Sequence, residues 1–114
     1  MEIRLKRVYD EASPDDGFRV LVDRLWPRGV SKDRAAIDLW AKDAAPTDEL
    51  RRAFHQDGMD WDTFAAAYRA ELATNPAVAE LRTAIADAAV VTLLFGVRDE
   101  LHNHADLLRE ALLD

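Results

Sequence analysis

The sequence predicts an α/β fold: a single domain, 1–114, with a small, mostly parallel sheet covered by amphipathic helices. Two apolar runs, Val20–Val22 and Val90–Phe95, are typical of strands buried on both faces. The segments between them repeat apolar residues at helical spacing, as helices that pack on such a sheet do. The 114-residue length is that of one domain.

The N-terminal third is predicted to hold most of the strands. Alternating apolar residues favour a first strand over about residues 2–8, followed by a polar, turn-rich segment. A second strand is predicted from Phe18 to Leu25, with Pro27 ending it. Ser31 can cap a short helical turn. Ile37, Leu39 and Trp40 leave the next segment open between a strand and a helix, and a short strand ending before Pro46 is favoured.

Helices are predicted to dominate the remainder. Thr47, followed by two acidic residues, predicts a helix over about 47–56. Asp60 is predicted to cap the next helix, whose core-facing stripe is Trp61, Phe64, Ala65, Tyr68 and Leu72. Asn75-Pro76 is predicted to begin another helix. The final helix is predicted to carry the apolar residues Leu101, Ala105, Leu108 and Leu112.

Composition narrows the possible functions. The chain has no cysteine, which excludes thiol catalysis, disulfides and thiolate metal sites. The net charge of −7 makes nucleic-acid binding unlikely, because phosphate neutralisation supplies most of that affinity. No apolar run is long enough to span a membrane, and the N-terminus does not resemble a signal peptide. We therefore expect a cytoplasmic protein that does not enter membranes.

Candidate ligand-binding residues follow the predicted strands. In parallel sheets, ligands bind outside the carboxyl ends of the strands. Arg24, Arg28 and Arg98 are expected there, and guanidinium groups bind phosphates and carboxylates in a bidentate manner. Trp26 would then form a stacking wall. The sequence thus predicts a site for a small anionic metabolite: a phosphate, a nucleotide-like molecule or a carboxylate.

These residues also have structural interpretations. Arg24 and Arg28 could instead pair with neighbouring carboxylates. Trp26 could plug the end of the core, which is the favoured interpretation. Asp23 is a candidate general base, although an aspartate in this position more commonly caps a turn.

The histidines predict no metal site. On a regular helix His102 and His104 lie about 160° apart, so they cannot bind the same ion. His104 lies beside Leu108 at the edge of the apolar face and is expected to be half-buried against the sheet. It is a second candidate for proton transfer. A helix that begins at Asp99 or Asn103 would add free N–H groups to Arg98 as an anion-binding site.

Motifs of common enzyme classes are absent. The chain lacks a dinucleotide-binding glycine motif, a phosphate-binding loop and a serine-hydrolase motif, and no cofactor is predicted. Whether it is an enzyme therefore stays open. The alternatives are a nucleic-acid-binding or regulatory module, using the N-terminal third, and a protein-interaction subunit that docks through Trp40 or Trp61.

One motif points to a family. The run Val22-Asp-Arg-Leu-Trp-Pro-Arg-Gly29, together with Lys6-Arg-Val-Tyr9 and Ala45-Pro-Thr-Asp-Glu-Leu-Arg51, resembles the YeaO-type bacterial family of small domains of unknown function. The resemblance implies an α/β domain but no established activity. Longer relatives carry cysteines at the positions of Phe95 and Asn103. Their thiol chemistry therefore does not extend to this chain, although His104 matches.

Overall fold

The computed structural model describes residues 1–99 and 102–114. Within these residues the strands are β1 (Glu2–Arg7), β2 (Phe18–Leu21), β3 (Leu39–Trp40) and β4 (Val90–Phe95). The helices are α1 (Lys32–Ala35), α2 (Asp48–His55), α3 (Trp61–Thr74), α4 (Pro76–Ala84) and α5 (His104–Leu113). The predicted α/β class is confirmed.

The sheet is parallel throughout, with the strand order β1-β4-β2-β3. β4 lies in the interior, where Val91 pairs with Ile3 of β1 on one side and with Phe18 of β2 on the other. Because all four strands run the same way, their carboxyl ends share one edge of the sheet. We call this the carboxyl edge; there β2 continues into Asp23 and β4 into Gly96.

Both faces of the sheet are covered. Since successive residues of a strand point to opposite faces, each apolar run supplies two clusters. Val91 and Leu93 belong to the larger cluster, with apolar residues of α2, α3, α4 and α5. Leu21 and Leu94 belong to the smaller one, together with α1 and the loops around it. The double cover explains the near-continuous apolar character of β2 and β4.

The second strand is shorter than predicted: it ends at Leu21 rather than Leu25. The backbone N–H of Val22 still donates to the Leu94 carbonyl at 3.0 Å. Beyond this hydrogen bond, contacts of side chains replace the backbone hydrogen bonds between the strands. The Asp23 carboxylate accepts from the N–H of Gly96, and the Trp40 indole donates to the Asp23 carbonyl at 2.7 Å. These contacts turn the chain away from the sheet.

Polar residues around the start of β2 form a largely buried network. Asp16, in a short 3-10 turn, is 6% exposed and pairs with Arg19 of β2 and Lys6 of β1. Arg19 also donates to the Ala35 carbonyl. The network explains how a charged residue of β2 is buried.

The helix starts agree with the sequence. Ser31, Thr47, Asp60 and Asn103 each accept a hydrogen bond from a backbone N–H in the first turn of α1, α2, α3 and α5. The prediction that Leu101 belongs to the last helix lies outside the described residues. No described helix combines the length and apolar character needed to cross a bilayer.

Candidate functional site

A cavity of about 340 Å³ opens at the carboxyl edge. Its walls come from the exit of β2, the segment before α2, α2 itself and the start of α5. The volume lies at the lower end of the range for small-molecule sites, roughly 300–1,000 Å³. Its polar residues are Asp23, Arg24, Arg51, His55 and His104. The arrangement follows the general rule for parallel sheets.

The two proton-transfer candidates, Asp23 and His104, meet at the base of this cavity. Asp23 Oδ2 accepts a hydrogen bond from the N–H of Gly96 at 2.8 Å. His104 Nε2 lies 3.0 Å from Asp23 Oδ1 and 3.0 Å from the carbonyl oxygen of Val22. Because both neighbours are acceptors, Nε2 carries the hydrogen.

The hydrogen of His104 Nε2 is aligned with Val22 rather than with Asp23. Asp23 Oδ1 is buried and has no well-directed hydrogen bond. Its contact with His104 is therefore an ion-pair contact that strengthens when the imidazole is protonated. His104 is 9% exposed, which agrees with a histidine packed against the sheet.

Arg24 is held by backbone carbonyls. Its Nε donates to Pro46 at 3.0 Å and its Nη2 to Ala45 at 3.1 Å. The preceding carbonyl, that of Ala44, accepts from the hydroxyl of Tyr68 at 2.6 Å, so three successive carbonyls receive side-chain donors. Among the ion pairs of the described residues none involves Arg24. Its charge is thus held in place without being neutralised by a carboxylate.

Arg51 adds a second guanidinium that sequence reasoning missed. It lies on α2, and its Nη2 contacts Asp48 at 3.2 Å. Its Nε is buried and has no hydrogen-bond partner. His55 follows four residues later and therefore lies on the same helix face. The i,i+4 spacing of Arg51 and His55 indicates that they share a helix face, but the sequence does not indicate whether that face of α2 points toward the cavity.

His55 lies where positive groups converge. Partial desolvation lowers its pKa below the ordinary 6.5, and positive charge on His104 and Arg51 lowers the pKa further. Asp23 opposes this shift. The neutral form of His55 is therefore favoured near neutral pH.

Trp26 is anchored to the protein. Its indole N–H donates to the Val30 carbonyl at 2.7 Å, and its ring meets Trp40 edge-on at a centroid distance of 5.4 Å. It packs against the smaller apolar cluster and also lines the cavity. This agrees with the plug interpretation and leaves part of the ring available to a ligand.

The structure does not bring all the predicted arginines together. Arg28 is exposed and does not line the cavity, and within the described part of the chain its one hydrogen bond is the one that its carbonyl accepts from the hydroxyl of Tyr9. Arg98 lines an adjoining cavity of about 390 Å³, which shares His55 and Val97 with the first.

Metal-ligating side chains do not cluster. Within residues 1–99 and 102–114 no three His, Asp or Glu side chains are placed to hold one ion. His102 stacks on Trp61 at a centroid distance of 5.0 Å.

Comparison with known proteins identifies the family. Residues 2–114 match the model of a family described as the inactive DUF488-N3 subclade. The chain belongs to this family. It is 45% identical over 112 residues to the uncharacterised protein YeaO of Escherichia coli, covering 98% of this chain and 97% of that protein. The YeaO-type resemblance is thereby confirmed.

Other relatives are equally uncharacterised. One protein of Mycobacterium bovis and one of Mycobacterium tuberculosis are each 43% identical over 110 residues, covering 96% of this chain and 92% of theirs. No solved structure matches the chain. The relatives thus place the chain among DUF488-N3 domains of unknown function.

Proposed function

We propose that this DUF488-N3 protein binds a small anionic metabolite at the carboxyl edge of its sheet. The observation that carries the proposal is the pair of cavity-lining guanidiniums, Arg24 and Arg51. Among the described residues, the Arg24 side chain donates hydrogen bonds to neutral backbone carbonyls, and Arg51 forms its ion pair with the half-exposed Asp48 alone. Within residues 1–99 and 102–114, neither guanidinium forms an ion pair with Asp23, the carboxylate that lines the cavity.

An anion balances the charges of this site better than a cation does. The cavity places two guanidiniums and one carboxylate around a partly apolar space. The Asp23 carboxylate is already engaged by Gly96 and His104. Phosphate and carboxylate groups form strong, charge-assisted hydrogen bonds with guanidinium. Arg98, in the adjoining cavity, would add positive charge for a longer ligand.

Binding without catalysis is the favoured form of this proposal. The matching family is described as inactive. The chain has no cysteine, and its Asp23–His104 pair supplies only acid or base groups. That pair nevertheless supports a second candidate, proton transfer to a bound anion. A reaction would then require both side chains, whereas binding alone would require the guanidiniums.

Calorimetric titration with inorganic phosphate, acetate and benzoate tests the proposal. We expect at least one anion to bind and Arg51→Gln to weaken its binding about tenfold or more, since a charged hydrogen bond is lost. Arg52→Gln is the matched control, because Arg52 is exposed and does not line the cavity. Absence of binding by all three anions, or equal effects of both variants, would overturn the proposal.

A further inference from the structure

Leu25 is exposed at the rim of the cavity. Its exposed fraction is 57%, and the other large, strongly exposed apolar residues among residues 1–99 and 102–114 are Met1 and Leu113. Of these three, Leu25 alone lines the cavity. Folding therefore gains little from this side chain, although the site presents it to a ligand.

The side chains on both sides of Leu25 are anchored to other parts of the protein. Arg24 is hydrogen-bonded to Pro46 and Ala45, and Trp26 to Val30. Leu25 is thus held between two anchored neighbours. Such anchoring reduces the conformational entropy that a ligand contact would cost.

The cavity walls are largely apolar. They include Trp26, Pro27, Pro46, Phe64 and Val97. A bare inorganic anion would engage the guanidiniums and leave these surfaces in contact with water. An apolar group on the anion would cover them, and burial of apolar surface favours binding.

We infer that the ligand is an organic acid with an apolar, ring-sized body, and that Leu25 selects for that body. This inference rests on the proposed anion site. The acid group lies against Arg24 and Arg51, while its body contacts Leu25 and the apolar wall. Leu25 is accordingly a specificity-determining residue.

Two matched ligand pairs test the inference. Acetate is compared with benzoate, and methyl phosphate with phenyl phosphate, by calorimetric titration at constant ionic strength. We expect the ring-bearing member of each pair to bind about tenfold more tightly, or better. Equal affinities within both pairs would overturn the inference and leave the proposed anion site standing. Absence of binding by all four anions would overturn the inference, and absence of binding by inorganic phosphate as well would overturn the proposed anion site.

Two exposed leucines provide matched variants. Leu25→Ser is expected to weaken benzoate and phenyl phosphate binding about threefold to tenfold and to leave acetate and methyl phosphate unchanged. Leu113→Ser, at a side chain that is 60% exposed and does not line the cavity, is expected to change none of them. Leu25→Met should retain the preference, because it keeps an apolar side chain.

The variants also separate selection from folding. Leu25→Ser, Leu25→Met and Leu113→Ser should all unfold at the same urea concentration as the parent protein, because each replaces an exposed side chain. Loss of affinity for all four anions in Leu25→Ser would indicate damage to the anion site and would overturn the assigned role. An unchanged preference in Leu25→Ser would also overturn it.

Discussion

The backbone N–H of Gly96 donates a hydrogen bond to Asp23 Oδ2 at 2.8 Å. The contact joins the exits of β2 and β4 just beyond their last backbone rung, between Val22 and Leu94. A side chain thus continues the sheet where the strands separate. Because Asp23 also meets His104, the same contact fixes the base of the cavity.

Gly96→Ala should disrupt this contact. A Cβ at Gly96 would lie 2.9 Å from Asp23 Oδ2, closer than ordinary packing allows. We expect the free energy of unfolding to fall by about 1–3 kcal/mol, as for other overpacked sites. Urea unfolding measures it.

Anion binding provides the specific readout for Gly96→Ala. Gly58→Ala is the control, because its Cβ meets open space and the cost is only that of its positive φ of 76°. We expect anion affinity to fall in Gly96→Ala and to be unchanged in Gly58→Ala. The same affinity in both variants would contradict the importance of the Asp23–Gly96 contact.

Asp16→Asn should leave Arg19 and Lys6 without their shared carboxylate. Both cations contact Asp16, and Arg19 is 4% exposed. Removing one partner of a buried ion pair is costly, so we expect a loss of about 2–4 kcal/mol in the free energy of unfolding at pH 7. Asp15→Asn, at an exposed neighbour, should cost much less. Equal losses would refute the assignment.

Low pH should remove the stabilisation that the Asp16 ion pairs provide in the parent protein. Burial raises the pKa of Asp16, but hydrogen bonds from Ser13, Lys6 and Arg19 outweigh it, so the pKa is below the ordinary 3.8. The stabilisation is therefore complete above pH 3.8 and is lost as pH falls through the folded-state pKa. Asp16→Asn should lose less stability than the parent over that interval.

His55 should make the ligand-free protein less stable as pH falls. Its folded-state pKa lies below 6.5, so the unfolded chain binds more protons between the two values. The free energy of unfolding should therefore decline as pH falls through 6.5. We expect a smaller decline in His55→Gln than in the parent, measured by urea unfolding at pH 7.5 and pH 5.5. Parent-like behaviour of His55→Gln would contradict the prediction.

Local patterns predicted much of the fold. β4 matched its predicted bounds, Val90–Phe95, because a strand covered on both faces is apolar at nearly every position. The caps Ser31, Thr47 and Asp60 were predicted because a cap depends on residues within one turn. The start of α5 was left open between Asp99 and Asn103, and Asn103 caps it. His104 was expected against the sheet from its position beside Leu108.

Long-range contacts limited the prediction of the site. The end of β2 depends on Asp23 meeting Gly96, and no local pattern reports that pairing. Arg24 and Arg28 follow the same strand, but only Arg24 lines the cavity. Arg51 lines the cavity because of the way α2 packs, and the sequence did not predict that packing.

The strand order also sets when the sheet can be completed during synthesis. Within residues 1–99 and 102–114, β1 pairs only with β4, although β1 leaves the ribosome far earlier. β4 lies between β1 and β2, so these two strands cannot be linked in the sheet until residue 95 has been added. Unpaired apolar strands are prone to associate with other chains. A nascent chain of this protein therefore exposes unpaired apolar strands for most of its translation, and we expect its yield to depend on chaperones that shield them.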